Sequence, residues 1–411
     1  MYRVHKLSSI NILYISFFVF FIFSLFANNT SASFLYMANI LVMFLFVAFL
    51  LLKNKDIVFS KNIFYFGITL LLLVFVLIQP ISKTHIYSVL FFSKLMIISL
   101  FFYQARLSET SFINFINNTY LFFLIVSVLM WLGIIPNPNY NDFLIKEEFL
   151  VSIFGYHYYV LPGIEGSPAT IDSYSAIVLL INIFVKVNQK NRKTVVIFAL
   201  LGILLSFRLT AILGVFLVLA CAPLLKKRLF FFLFNISGFV FFLLLLYALS
   251  IDLILNVFDM SVDVYLFAYI ATHARSVIWE QQIFILLTEY QWFDYIFGHF
   301  NVDLFSVPTF QISGAETGVN QSNPHNTYLL LFFRSPLLAI IALILLYINL
   351  IVKMDKKYFI PTTFVLLACY TNSALISLEN PIYLYVLVFA ILGCTPHLKA
   401  FSLPKVKRIK C

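Results

Sequence analysis

Charge is what this sequence has least of. Only 11% of its 411 residues are Asp, Glu, Lys or Arg, while 62% are hydrophobic and the mean hydropathy is +1.00. A water-soluble domain of that length cannot cover its surface with so few charges. Cysteine is scarce too. Of the four, Cys221, Cys369 and Cys394 sit inside apolar runs and read as small buried hydrophobes, which excludes a disulfide framework. Cys411 ends a basic tail without forming a C-a-a-X signal. There is no P-loop, no Rossmann glycine pattern and no nucleophile elbow. His157, His273 and His299 lack ligand spacing such as H-E-x-x-H, so no metal site and no cofactor is assigned. Internal repeats, low-complexity linkers and a separate soluble domain are also missing.

What the chain does have is apolar runs of about 17–25 residues, the length a helix needs to cross about 30 Å of hydrocarbon. The net charge of +10 resides mostly between them, with 21 of 27 Lys and Arg in short clusters at every second gap. That is the positive-inside pattern of a membrane protein, and it argues against a nucleic-acid-binding face. Residues 1–135 then hold spans 1–5, beginning with Ser9–Ala27, which has no A-x-A cleavage site. The fifth span is read as Thr119–Ile135 and the sixth as Ser173–Val185.

The run from Thr194 to Leu225 is 32 residues, about 48 Å as one helix and too long for a single crossing. Basic clusters flank both of its ends, so an even number of crossings is required. The spacing predicts a hairpin with its tip at Ser206-Phe207-Arg208, on the outer face. Residues 173–250 thus carry spans 6–9 and 326–396 spans 10–12, followed by a basic cytoplasmic tail, 397–411. The expected class is an all-α polytopic membrane protein of about twelve helices with both termini inside.

Two gaps fall outside: 136–172, opened by Pro136-Asn137-Pro138-Asn139, and the long 251–325 between spans 9 and 10. Within the second, Asp252–Ala271 and the stretch bearing Trp279, Ile283, Leu286, Leu287 and Tyr290 show helical apolar spacing. Packing is the commoner meaning of such a pattern.

Six cations escape the topological pattern: Lys83, Lys94, Lys146, Arg208, Arg275 and Arg334. Fourteen of 17 acidic residues lie in or beside the outer gaps, Asp172 among them, so Arg208 and Arg275 stand on an otherwise acidic side. For Arg208 the alternatives are an ion pair, snorkelling to the headgroups, or a bidentate grip on a phosphate. His325, in Ser322-Asn323-Pro324-His325-Asn326, is either incidental to helix-start chemistry or a neutral imidazole able to accept a proton. Arg334-Ser335-Pro336 predicts a kink in the tenth span.

These residues resemble the O-antigen polymerase and ligase superfamily. Leu205-Ser206-Phe207-Arg208 looks like its S-x-x-R or S-R pattern at a short hairpin tip. Arg275 and Trp279 are similar to the R-x-x-x-W of its large periplasmic loop, and Pro324-His325-Asn326-Thr327-Tyr328-Leu329 to the H-N-x-Y-L at that loop's end. Gly166-Ser167-Pro168-Ala169 resembles a G-x-x-P-N segment, with Ala169 in place of Asn. The likeness covers roughly residues 163–350. It departs at Gly298-His299-Phe300, which lacks a second glycine, and in the first outer loop, which offers Lys146 but no arginine.

The resemblance implies a GT-C-like fold in the bacterial inner membrane. The implied activity is metal-independent transfer of a glycan from undecaprenyl pyrophosphate to an acceptor hydroxyl at the periplasmic face. It implies Arg208, Arg275 and His325 as catalytic residues, with Asn326, Tyr328 and Trp279 joining the arginines in substrate binding. Implied partners are the lipid-linked donor and acceptor, the bilayer and a chain-length regulator. The Phe, Ile, Asn and Lys richness favours a polymerase over a ligase acting on lipid A core. A lipid-linked oligosaccharide flippase is the rival from another class; it would carry more buried charge through its spans than Lys94 and Arg334.

Overall fold

A computed structural model of the chain describes residues 9–24, 107–136, 150–153, 156–161, 163, 168–185, 191–255, 275–297, 307–308, 320–321, 326–334 and 336–371. Parts of 41–48, 97–105 and 385–390 are also described. These residues are predominantly helical. The helices are α1 (Ser9–Ser24), α2 (Glu109–Trp131), α3 (Pro168–Phe184), α4 (Arg192–Ser206), α5 (Leu209–Leu225), α6 (Arg228–Leu255), α7 (Arg275–Glu289), α8 (Trp292–Phe297), α9 (Thr327–Arg334), α10 (Pro336–Lys353) and α11 (Phe359–Thr371). Two short antiparallel ribbons, unforeseen in the all-α expectation, pair β1 (Leu150–Ile153) with β2 (Tyr156–Tyr159), and β3 (Val307–Pro308) with β4 (Asn320–Gln321). Both lie in the gaps read as external.

The 32-residue apolar run is broken into two helices at the expected position. α4 ends at Ser206 and α5 begins at Leu209, with Phe207 in the left-handed region at φ 39° and ψ 46°. α9 ends at Arg334 and α10 begins at Pro336, where the sequence predicts the kink. One boundary differs markedly from expectation. α2 starts at Glu109, ten residues before the expected Thr119, because Ser108 caps it by accepting a hydrogen bond from Ser111 N at 3.1 Å. The acid in its first turn suits the helix dipole. Asp252 also sits inside α6, which runs on to Leu255, so no new helix opens there; residues 256–274 lie outside the described set.

At 23 residues, α2 is the one helix among the described residues long and apolar enough to cross a membrane by length and composition. Shorter apolar helical stretches are Ser9–Val19, Thr170–Phe184, Ala211–Leu225, Arg228–Val240 and Pro336–Val352.

α3 lies at the centre, packed against α2, α4, α5 and α11. Its neighbours meet it through polar contacts as well as apolar ones. Asn117 and Asn182 exchange reciprocal amide hydrogen bonds at 3.0 and 2.8 Å. Tyr120 joins α2 to both α3 and α4, its hydroxyl lying 2.9 Å from Ser175 Oγ and donating to the Phe198 carbonyl at 2.9 Å. Gly202 of α4 faces this junction, and a Cβ there would overlap the Ser175 and Tyr120 hydroxyls. Only glycine lets α4 approach that closely.

The outward surface has the opposite character. Along α10, Leu337, Ile341, Ile344, Ile348 and Val352 form an exposed apolar stripe at helical spacing. α4 and α5 add Leu204 and Phe216, the latter 70% exposed. At one end, Glu109 clasps the start of α11: Lys357 Nζ donates to its Oε2 at 2.7 Å and Tyr358 OH to its Oε1 at 2.8 Å. Glu109 and Lys357 were both expected on the inner side, and the fold brings them together.

Candidate functional site

The tip of the α4–α5 hairpin is held from three directions. Phe207 N donates to the Ile203 carbonyl at 3.1 Å, ending α4 with a left-handed cap. That conformation is costly for a bulky aromatic residue and is the one positive φ at a non-glycine position among the described residues. Ser206 is buried and donates to the same Ile203 carbonyl at 3.2 Å. From the first outer gap, Leu161 N donates to the Leu205 carbonyl at 2.8 Å, strapping that loop to the tip. Val160, Leu161 and Gly163 are buried beneath it.

Arg208 takes the N-cap position of α5 in an extended conformation. Its carbonyl accepts from Ala211 N at 3.1 Å and Ile212 N at 3.2 Å, so the backbone is committed to the helix start. Its side chain is half-buried and does not cap the helix. Among the described residues, no carboxylate reaches ion-pairing distance of the guanidinium. Its charge nevertheless acts on Asp172, on the second turn of α3, whose side chain is 1% exposed. Asp172 accepts from Ser173 Oγ at 2.9 Å.

Asp172 is the site residue the sequence reading missed, having passed as one more acid of the outer gap. An aspartate set directly before an apolar span was the available signal, since a carboxylate entering a packed helix needs a reason to be there.

The other motif residues lie on α7 and α9, which pack on each other. Arg275 is the first residue of α7. Trp279 is buried on that helix with Ile283, Leu286 and Tyr290, while Leu287 is exposed. Asn326 is fully buried and caps α9: its Oδ1 accepts from Leu329 N at 3.0 Å, and its Nδ2 donates to the Tyr370 carbonyl at 2.8 Å. Tyr328 is buried too, its hydroxyl donating to the Leu366 carbonyl at 3.2 Å and lying 3.1 Å from that of Tyr347. Both residues therefore fasten the start of α9 to α11, and α11 in turn packs on α3 and α5 behind the hairpin tip. His325, Lys83, Lys94 and Lys146 lie outside the described residues, as do the side chains of Arg275 and Arg334.

Among the described residues, no three His, Cys, Asp or Glu side chains cluster as metal ligands would. The chemistry the described site offers is anion recognition by a guanidinium at a rigid turn, with a buried carboxylate behind it. Comparison of the chain with protein-family models, curated proteins and solved structures finds no match.

Proposed function

We propose that this protein is a multi-pass enzyme of the bacterial inner membrane, with about twelve spans in a GT-C-like arrangement, that polymerises a surface polysaccharide. It transfers a growing glycan from undecaprenyl pyrophosphate to the hydroxyl of a lipid-linked repeat unit at the periplasmic face. The observation that carries this reading is Arg208, an arginine without an ion-pair partner among the described residues, fixed at a strapped and strained hairpin tip. A cation kept so constrained on the side rich in acids is suited to an anionic ligand that comes and goes.

The chemistry follows from the leaving group. Negative charge develops on the pyrophosphate as the glycosyl bond breaks, and Arg208 with Arg275 stabilises it through preorganised, charge-assisted hydrogen bonds. His325 orients or deprotonates the acceptor hydroxyl. Asn326 and Tyr328 contribute by fixing the helix start that follows His325, and Trp279 by anchoring the helix that Arg275 opens. The outward apolar stripe on α10 and the polar contacts buried around α3 support a lipid setting. In a bilayer the outer surface needs no charge, and polar groups gather between helices.

The test is reconstitution. Full-length protein in lipid nanodiscs, given undecaprenyl-pyrophosphate-linked repeat units, is expected to build a ladder of lengthening glycans. Donor that is bound but never extended, or moved across the bilayer unchanged, would sink the polymerase reading.

A further inference from the structure

Asp172 is a carboxylate in the interior of a helix bundle, and its described surroundings account for only part of its bonding capacity. Its described hydrogen-bond donors both belong to the next residue, the Ser173 hydroxyl and backbone N–H. An ionised carboxylate has about four acceptor sites, so capacity is left over. Apart from the Ser173 N–H, the helix does not fill it: Asp172 lies beyond the first turn of α3, where backbone N–H groups are bonded within the helix. Burying such a group is unfavourable unless a cation compensates it, and among the described residues the cation acting on it is Arg208. α3 packs against both α4 and α5, the helices on either side of Arg208. A guanidinium on a flexible stem at a hairpin tip would otherwise be free to snorkel away from the site.

We propose that Asp172 is the positioning residue for Arg208: from the second turn of α3 it holds the guanidinium turned inward over the hairpin tip. The pair stays short of direct contact among the described residues, which leaves the guanidinium fork available to an incoming phosphate oxygen. Asp172 touches neither donor nor acceptor and acts only through Arg208. The functional half of this inference rests on the reading of Arg208 as a pyrophosphate-binding group; the pairing itself does not.

Two measurements on the full-length purified protein test it. The first is a melting cycle over wild type, D172N, R208Q and D172N/R208Q, which needs no substrate. Removing Arg208 leaves a buried charge uncompensated, so R208Q is expected to melt well below wild type and D172N/R208Q to recover most of that loss. Melting shifts that simply add would overturn the pairing. Should D172N fail to accumulate, the double variant decides: its accumulation supports the pairing and its loss overturns it.

The second measurement follows glycan extension and donor binding in parallel. D172N is expected to lower turnover by about tenfold, and D172E to recover part of it. In an R208K background the same D172N change is expected to cost less than about twofold. Equal fractional losses in the two backgrounds would show that Asp172 does not work through Arg208. A wild-type protein that extends nothing would defeat the polymerase reading, and the melting cycle would still judge the pair.

Discussion

α3 and α4 are adjacent and similarly apolar, yet they meet their surroundings in opposite ways. From Thr170 to Asn182 every residue of α3 is buried, and six of these thirteen are polar: Thr170, Asp172, Ser173, Tyr174, Ser175 and Asn182. α4 buries one face and exposes Ile197, Phe198, Leu200, Leu201 and Leu204 on the other. In water that distribution would be upside down. It teaches that along these two helices apolarity alone does not mark the inside: α4 turns apolar side chains outward while α3 buries polar ones. Arg208 stands where the two regimes meet, at the end of the hairpin whose arms face both ways.

The largest expected effect falls at that meeting point. Arg208→Lys keeps the charge and loses the bidentate fork, and about 3 kcal/mol of transition-state stabilisation, on the order of a hundredfold in rate, is expected to go with it. Arg275→Lys is expected to behave the same way. Glycan ladders from membranes in which both variants accumulate normally would show it, and near-wild-type ladders would reassign these arginines to folding. His325→Asn is expected to lose extension as completely as His325→Ala while donor binding persists, because asparagine keeps a hydrogen-bonding side chain but cannot act as a base. Robust polymerisation by His325→Asn would leave it a helix-start residue only.

The next effect sharpens the α3–α4 contrast directly. Gly202→Ala drives a methyl group into the Tyr120–Ser175 junction and is expected to cost about 1–3 kcal/mol, read as a lower melting temperature. Asn182→Leu strands Asn117 without its amide partner, with an expected loss of about 0.6–2 kcal/mol. Leu204→Ala, two residues beyond Gly202 and on the exposed face, is expected to stay within about 0.5 kcal/mol. If Leu204→Ala proved more damaging than Gly202→Ala, the assignment of inside and outside along α4 would have to be reversed.

How much of this was legible beforehand depended on whether the cause was local. The break between α4 and α5 was, because the length of an apolar run and the charges at its two ends lie in one stretch of chain. The start of α10 at Pro336 was legible for the same reason. The start of α2 was not: Asn117 and Asn118 look like loop residues until Asn182 and Tyr14 are seen to satisfy them. The β1–β2 ribbon was missed because Tyr156-His157-Tyr158-Tyr159 shows no clean alternation of apolar and polar residues. Asp172 could not be read because its burial is a property of the assembled bundle.

The clasp on Glu109 has a consequence in time rather than in space. Its partners, Lys357 and Tyr358, emerge from the ribosome 248 and 249 residues after it. At ordinary elongation speeds of about 5–20 residues per second, the carboxylate waits tens of seconds for them. Through that interval the Glu109 carboxylate at one end of α2 lacks its clasp, until first α3 and then α11 arrive. The contact that closes α2 against α11 therefore waits on the last third of the chain. A chain stopped before Lys357 would lack this closing contact even with α1 to α10 already made.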